Sequence, residues 1–583
     1  MEQNLKNLIK KIPKEVSHVT DTLEKGGFEA YLVGGCVRDL LMGKEPKDWD
    51  VTTNAKPEQI ISLFEKTVYE NTFGTVGVVV SRETPKGDVS HVTDSSLEPR
   101  TSNLEPNFII EVTPYRTEAK YSDFRHPDEV KFSDKLEDDL KRRDFTVNAM
   151  AFSAQGGSAS GGRKGDPVLT DMFGGLKDIK DRVLKAVGNP DERFQEDALR
   201  MLRAVRFACQ LNFSVSYETM ESILKNADLL KKISAERIHD EFVKIIMSEN
   251  PSAGISMLQK FNLLKNIIPE LEEGINCEQL GEHIYDVWEH LLHALQHSAD
   301  KNWPLEVRLS ALFHDIGKPK SRRLAGEISS TKNSRALAET FPDENSRRFA
   351  GELSSTKNSP TFALEDKRTG NPRLPEFLSK KAPGFASKKK YTFYGHEVVG
   401  ARMAKKIMER LKFPKKEIEL VEKLVRNHMF FSDTELITLS AVRRIVVKVG
   451  KENIWSLMNV RECDRVGMKK KEAPYRLRKY FAMIEEALRD PISAKQLKIN
   501  GEYMQKELGI KPGPRMGWIL SALLEEVLDA PEKNTVEHLS ELVKSMNLLG
   551  DAELKALGDR GKEKKEELEG EEVKKLHLRH GVN

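Results

Sequence analysis

The chain has 583 residues and carries 94 Lys and Arg against 91 Asp and Glu, a net charge of +3. That length holds several domains, each able to bury its own core. The near-neutral balance excludes a uniformly basic nucleic-acid coat, so any such footprint must come from local patches. Cys36, Cys209, Cys277 and Cys463 are scattered, with no C-x-x-C pair, which argues against a cysteine zinc site and for the reduced thiols of a cytoplasmic protein. No segment is apolar enough to span a membrane. The opening stretch, with Lys6, Lys10 and Lys11, reads as an amphipathic helix rather than a secretion signal.

Leu5 to Lys25 predicts one or two helices, ended near Gly26-Gly27. Tyr31-Leu32-Val33 then predicts a short buried strand, broken by Gly34 and Gly35, with a helix over Cys36 to Met42. A glycine pair between strand and helix lets backbone N–H groups approach an anion, and the helix N-terminus adds partial positive charge. Arg38 supplies a cation nearby. Asp48-Trp49-Asp50 follows, and strand alternation places Asp48 and Asp50 on one side. Two carboxylates so placed suit Mg²⁺, which is bound by one or two carboxylates plus substrate phosphates.

The run YLVGGCVRDLLMGKEPKDWDVTT resembles the L-V-G-G-x-V-R-D…D-x-D signature of the class II tRNA nucleotidyltransferases and bacterial poly(A) polymerases, a branch of the polymerase β superfamily. The resemblance implies an α+β chain: a polymerase-β-like head, a mixed sheet with helices, over about 1–165, then an all-α neck with a nucleotide-base template over 166–275. An HD domain follows over 276–467, a helical tRNA-binding tail over 468–550, and a charged tail over 551–583 that frays.

Pro57 to Lys66 predicts a helix, and Phe73 to Val80 a strand. From about Lys86 to Asn107 the pattern dissolves into Ser, Thr, Pro and Asp, the composition of an insertion. Strand character returns at Phe108 to Val112, where alternation lets Glu111 face the Asp48/Asp50 side, and the family resemblance implies a third carboxylate there. Asp139 to Ala149 resembles the second signature, D-L-x-R-R-D-F-T-x-N-A; it implies Arg143 as a nucleotide contact, with Asp144 and Asn148 fixing the local turn. Ser153 to Lys164 is Gly/Ser-rich and reads as another insertion.

Arg193 to Phe207 has helical spacing, with Asp197, Arg200 and Arg203 on one face. It resembles the family's E-D-x-x-R motif, which implies that Asp197 and Arg200 hydrogen-bond the base edge of incoming CTP or ATP, with Arg203 and Arg206 as weaker nucleotide contacts. The chemistry agrees: a carboxylate accepts from an exocyclic amine, and a guanidinium donates to a ring nitrogen or carbonyl. In the same resemblance Gly34, Gly35 and Arg38 position the triphosphate, and Asp48 and Asp50, joined by Glu111, hold Mg²⁺.

A second constellation begins with His283, His290 and His293 and continues through His314-Asp315, His396, His428 and Asp464. An adjacent His-Asp in an apolar helix is costly to bury unless it binds something, and imidazoles with carboxylates suit a divalent transition metal. The order H…HD…H…H…D resembles the HD phosphohydrolase superfamily. This implies a core site of His290, His314, Asp315 and Asp464, with His396 and His428 as ligands to a second metal. Between the HD pair and His396, SRRLAGEISSTKNS nearly repeats as SRRFAGELSSTKNS, and 322–389 reads as a polar insertion. The last third predicts helices. Lys469-Lys470-Lys471, Arg476, Arg478 and Lys479, with Tyr475 and Tyr480, form a basic, aromatic cluster suited to RNA. Ile492 to Leu539 resembles the C-terminal RNA-binding part of HD-containing CCA-adding enzymes.

The expectation is a nucleotidyltransferase that adds or repairs the 3′-terminal CCA of tRNA from CTP and ATP, with no membrane and no protein partner implied. The rivals are a poly(A) polymerase, a CC-only or A-only enzyme, an HD phosphohydrolase acting on RNA or nucleotide phosphates, and a nonenzymatic RNA-binding protein.

Overall fold

A computed structural model describes residues 2–70, 74–80, 108–118, 130–156, 166–279, 283–324, 391–429, 439–468, 474–488 and 497–580. They divide into two compact units, 1–414 and 415–583. The division falls within the stretch that the HD resemblance groups together. The stretches expected as insertions at 86–107 and, beyond their first few residues, at 153–164 and 322–389 lie outside the described residues, as do Lys388-Lys389-Lys390 and Lys469-Lys470-Lys471.

The first unit is built on a seven-stranded mixed sheet. Its strands are β1 (Ala30–Val33), β2 (Asp50–Thr53), β3 (Thr67–Glu70), β4 (Thr75–Val80), β5 (Phe108–Pro114), β8 (Met150–Ser153) and β9 (Val168–Asp171), in the order β3-β4-β5-β2-β1-β8-β9. Two shorter strands, β6 (Arg116–Glu118) and β7 (Val130–Phe132), pair with each other. β9 pairs with β8, so the sheet runs past the boundary expected at 165. The Gly/Ser composition after Ser153 marks a connection between paired strands, not the end of a domain.

Alternation sorts the sheet into two faces. Val51, Val76, Val78, Ile110 and Val112 point to one side and are buried with Val16, Val19 and Leu23 of the helix Lys14–Lys25 and Ile60 of the helix Pro57–Leu63. On the other side Tyr31 and Val33 of β1 are buried with Leu136 and Leu140 of the helix Leu136–Lys141. That helix covers the β1–β8 half of this second face.

Beyond the head the described chain is helical apart from short two-stranded pairings. Two local expectations are corrected. Asp48 precedes β2, in the bend before Trp49, so only Asp50 stands on the strand; burial of Trp49 turns the chain there. The helix expected through Arg193–Phe207 is two helices, Pro190–Glu196 and Leu199–Leu211, broken at Asp197-Ala198. Asp197 is extended (φ −141°, ψ 103°), and its Oδ1 accepts from Leu199 N at 3.0 Å, as a helix-starting Asp does.

In the second unit the helix Pro514–Asp529 buries Ile519, Leu523 and Leu524 as its spacing predicts. The tail expected to fray is the helix Asp551–Arg579. It docks through glycines: a Cβ at Gly561 would lie 2.1 Å from Ser521 O, and one at Gly558 would lie 2.8 Å from Trp518 Cα. Backbone proximity at the glycines makes that contact together with Leu554, which is buried in one apolar cluster with Ile519, Leu523 and Leu524. Tyr480, expected among the RNA-stacking aromatics, is buried, while Tyr475 on the same helix is exposed. No helix of the described residues is long and apolar enough to cross a membrane.

Candidate functional site

The turn between β1 and the helix Gly35–Leu41 is where the first-unit site assembles. Gly34 has φ +81°, a conformation rarely open to residues with a side chain, and a Cβ there would lie 3.1 Å from Arg143 Nη1 and 3.5 Å from Asp50 Oδ2. Gly34, Arg143 and Asp50 therefore converge. Glu111 stands beside Asp50 as its partner in the parallel β2–β5 register, so both carboxylates leave the same face, and Glu111 is exposed. Asp48 is exposed just before β2. Burial pushes the Asp50 carboxyl up; Arg143 opposes this, Asp48 adds to it, and the net displacement is above the ordinary value. A carboxylate held among acidic neighbours, with one cation beside it, is a suitable ligand for a divalent ion.

Asp139, fully buried, fixes the arginines. Its Oδ2 accepts from Arg143 Nη2 at 3.0 Å and its Oδ1 from Arg142 Nη2 at 2.6 Å. Burial works against its charge, but Arg143 and Arg142 outweigh burial and hold its carboxyl below the usual range. Arg38 is buried; it donates through Nη1 to Asn148 Oδ1 at 2.7 Å and through Nε to Asp39 Oδ1 at 2.9 Å. Asn148 Nδ2 in turn donates to Asp144 Oδ1 at 3.4 Å. Asp144 Oδ2 accepts from Arg203 Nε at 2.8 Å, and Arg203 with Arg200 keeps that carboxyl low despite its burial. One chain of polar contacts thus runs from Arg38 in the head to Arg203 in the neck. Phe207 packs beneath it, with the guanidinium carbons of Arg38, Arg203 and Arg206 at 5.5, 5.3 and 4.3 Å from the ring centroid.

Asp197 and Arg200 lie one turn apart and do not pair with each other. Arg237, on the helix Ala235–Ile246, grips Asp197 at 2.7 and 3.2 Å. Arg200 donates to Glu196 Oε2 at 2.6 Å and to the Arg142 carbonyl at 3.1 Å. Arg206 pairs with Glu241 at 3.1 Å, and burial, with Arg203 adding, pushes its guanidinium down to about 10.

A second cluster of the first unit surrounds Asp315. His290 Nε2 lies 3.0 Å from His314 Nε2, and His396 Nε2 lies 3.1 Å from Asp315 Oδ1. One ligand atom each of His290, His314 and Asp315 lies within 4.8 Å of the other two. His314 Nδ1 and His396 Nδ1 each contact a backbone carbonyl at 2.8 Å, which leaves Nε2 to face the centre. Gly317 makes the approach possible, since a Cβ there would lie 2.3 Å from the His396 carbonyl oxygen. Lys318 Nζ reaches Asp315 Oδ2 at 2.5 Å; against the cost of burial, Lys318 and His314 hold the Asp315 carboxyl far below its usual range. His283 lies edge-on to His290, and His293 stacks on Tyr285. His428 and Asp464 are buried residues of the second unit; His428 Nδ1 contacts the Val425 carbonyl at 2.7 Å, and Asp464 pairs with Arg461 at 2.7 Å.

Residues 30–185 match the model of the Poly A polymerase head domain. Residues 212–275 match the model described as "Probable RNA and SrmB- binding site of polymerase A", and 396–543 match tRNA nucleotidyltransferase domain 2. The chain belongs to the family of poly A polymerases and tRNA nucleotidyltransferases. The CCA-adding enzyme of Ligilactobacillus salivarius (strain UCC118) is 42% identical over 261 residues, which covers 44% of this chain and 56% of that one. The CCA-adding enzyme of Lactobacillus delbrueckii subsp. bulgaricus (strain ATCC BAA-365 / Lb-18) is 44% identical over 233 residues, 40% of this chain and 50% of that one. The chain thus spans about half the length of the curated relatives it matches. The crystal structure of the Bacillus stearothermophilus CCA-adding enzyme in complex with CTP is similar at a TM-score of 0.46 and 22% identity, covering 92% of this chain and 97% of that one, a likeness too loose to argue from.

In this poly A polymerase-type head the structure adds residues that sequence reasoning passed over. Asp139 was readable from its i,i+3 and i,i+4 spacing to Arg142 and Arg143, and Lys318 from its i,i+3 spacing to Asp315. Arg237 and Glu241 carry no such local signal, because their partners lie 40 and 35 residues away.

Proposed function

We propose that this chain adds or repairs the 3′-terminal CCA of tRNA, using CTP and ATP, by Mg²⁺-dependent nucleotidyl transfer without a nucleic-acid template. The observation that carries the reading is the convergence of Gly34, Arg143 and Asp50 at one turn, with Glu111 in register beside Asp50. The names of the curated relatives support the choice of reaction. Asp50 and Glu111, with Asp48 at the rim, would hold Mg²⁺, which supplies charge stabilisation for the attacking and leaving oxygens. Gly34 and Gly35 let the backbone approach the triphosphate, and Arg143 and Arg38 give it fixed cations. Asp197 accepts from the exocyclic amine of cytosine or adenine, since a carboxylate gripped by Arg237 keeps further lone pairs. Arg200 donates to the neighbouring ring acceptor, and Arg203 and Arg206 brace the same wall. The test is to incubate tRNA lacking its 3′ end with labelled CTP and ATP, separately and together, and to read product lengths. Incorporation of ATP in long runs would favour a poly(A) polymerase; with both nucleotides present, arrest after CC or inability to start without CC would favour a partial enzyme; and no incorporation would sink the reading.

A second activity is favoured by the Asp315 cluster. Two imidazole Nε2 atoms at 3.0 Å beside a buried carboxylate suit a divalent transition metal, and such a centre would serve a phosphohydrolase acting on RNA or nucleotide phosphates. His314→Ala with Asp315→Ala would remove metal-dependent phosphoesterase activity and spare CCA addition.

A further inference from the structure

We propose that Val68, Gly77 and Ile109 form a shelf for the 3′-terminal nucleotide of the RNA acceptor, an inference that rests on the nucleotidyl-transfer reading. The registers put these residues on the face that carries the carboxylates. Asp50 pairs with Glu111, Glu111 with Gly77, and Gly77 with Val68, while Ile109 shares the face of Glu111 two residues away. A Cβ on Gly77 would lie 3.1 Å from Ile109 Cγ2 and 3.8 Å from Val68 Cβ, so the two side chains flank a position that has none. Ile109 is 55% exposed and Val68 52%.

The two halves of this face are treated differently. The helix Leu136–Lys141 covers the β1–β8 half, where Tyr31 and Val33 are buried. The β5-β4-β3 half presents Glu111, Ile109 and Val68 exposed, although the opposite face of the same strands buries Val76, Val78, Ile110 and Val112. A scattered exposed aliphatic side chain needs no explanation. Two of them around a glycine, continuous with a carboxylate pair, form a flat apolar floor.

The position of the floor selects its occupant. Gly34 and Arg143 bring the phosphates to the β1 side of Asp50. Displacement at a phosphoryl centre sets the attacking and leaving oxygens in line, so the attacking 3′-hydroxyl must approach from the β5 side. Neighbouring strands are about 4.8 Å apart, which puts the floor one strand beyond Glu111, where the ribose and base bearing that hydroxyl would lie. Aliphatic side chains around a bare backbone offer van der Waals contact to any base, as a site that receives the trimmed tRNA end and then C ends in turn requires.

The experiment uses the full chain, a fluorescent RNA hairpin with a single-stranded 3′ end finishing in C, and two variants: Val68→Ser with Ile109→Ser, which removes apolar area without adding charge, and Gly77→Leu, which fills the floor. Ile109→Thr, which keeps the β-branch, serves if the double variant fails to fold. The dissociation constant for RNA, read by anisotropy without nucleotide, should rise about five- to tenfold, with KM for RNA rising in step and KM for CTP staying within about twofold. Unchanged RNA affinity in folded variants would overturn the shelf. So would a change confined to sedimentation behaviour, which would make this face a contact between copies. Absence of CTP or ATP incorporation by the unmodified chain would instead overturn the nucleotidyl-transfer reading, and the RNA-affinity comparison would still decide the shelf.

Discussion

Arg237 reaches Asp197 across 40 residues of sequence and holds both oxygens of its carboxylate, at 2.7 and 3.2 Å. Asp197 sits in the break between two helices, where the backbone does not by itself aim the side chain. The grip turns a hinge residue into a fixed acceptor. Arg200, one turn on, is fixed in parallel by Glu196 and the Arg142 carbonyl. Base choice by such a pair depends on the partners that aim it.

Arg237→Ala should therefore erode discrimination against UTP and GTP without removing any group proposed to touch the base. A charge-assisted hydrogen bond contributes about 1.5–3 kcal/mol, so the preference for CTP and ATP should fall about tenfold or more. Asp197→Ala should do at least as much, while Arg38→Ala weakens all four nucleotides alike. The measurement is kcat/KM for each nucleotide on matched RNA ends; an Arg237→Ala variant with its full preference would show that Asp197 is aimed by the backbone alone.

Asp50→Asn separates chemistry from stability. Loss of an electrostatic catalytic element costs about 10²–10³ in rate or more, so incorporation should collapse. Stability should move the other way. Burial raises the Asp50 carboxyl above its unfolded value, so the folded state holds its proton more tightly. Stability without metal then falls as pH rises from about 4 through the raised value and stays lowered above it. In chelator at pH 7 the Asn variant should melt above the parent, and at pH 3 the gap should close. A lower melting temperature at pH 7 would contradict the desolvation argument.

The strands were legible because alternation is a local property: Glu111 takes the side of Asp50 as the pattern of Phe108 to Val112 predicts, whereas Asp48 was misplaced because the chain bends before Trp49 and the alternation stops there. The break at Asp197 was hidden because apolar spacing continues on both sides of it, and only the helix-starting preference of Asp marks the interruption. Arg237 and Glu241 were hidden for a different reason. Their partners are set by how the helix Ala235–Ile246 packs on the helix Leu199–Leu211, and no sequence spacing encodes that. The histidine cluster was legible as residue types in order, and Lys318 on Asp315 carried a local signal too, the i,i+3 spacing, which went unread.

Asp139 should be the most sensitive carboxylate of the head. It is buried and carries both Arg142 and Arg143, and removing one partner of a buried ion pair costs about 3–5 kcal/mol. Asp139→Asn should lower stability by about 3 kcal/mol and displace Arg143 from Gly34, raising KM for both nucleotides. The parent's carboxyl is held below its unfolded value, so its contribution is full above about pH 4 and disappears as pH falls through the lowered value. Urea titrations of parent and variant should therefore differ at pH 7 and converge under strong acid. A constant difference at all pH values would mean that packing, not charge, is what Asp139 supplies.

The insertion expected over 322–389 can be trimmed to a definite length. Arg323 pairs with Thr392 and Leu324 with Tyr391, so the chain on either side of 325–390 meets in a two-stranded ribbon. Replacing 325–390 with a short Gly/Ser linker should leave that ribbon and the Asp315 cluster intact. Loop closure costs only about 0.6 kcal/mol per doubling of length, so the deletion should change stability by about 2 kcal/mol at most, in the favourable direction. Calorimetry of the deletion variant checks this; loss of a cooperative transition would place 325–390 in the core.

The helix Asp551–Arg579 supplies a prediction whose sign changes along one element. A glycine inside a helix ordinarily costs about 0.5–1 kcal/mol relative to alanine, so replacement by alanine is expected to stabilise. That holds at Gly570, where an added Cβ meets nothing within 4 Å. It fails at Gly561 and Gly558, where the Cβ would lie 2.1 Å from Ser521 O and 2.8 Å from Trp518 Cα. Both obstacles are backbone atoms of the helix Pro514–Asp529, which cannot rotate away as a flexible side chain would. The two helices must separate, and Leu554, now fully buried, would be uncovered. Overpacking of this kind costs about 1–3 kcal/mol, which exceeds the propensity gain. Gly570→Ala should therefore raise the melting temperature, while Gly561→Ala and Gly558→Ala lower it, measured on the full chain at matched concentration. If all three shifted upward together, the helix would be standing clear of its neighbour, and its charged sequence would have been correctly read as having nothing to bury.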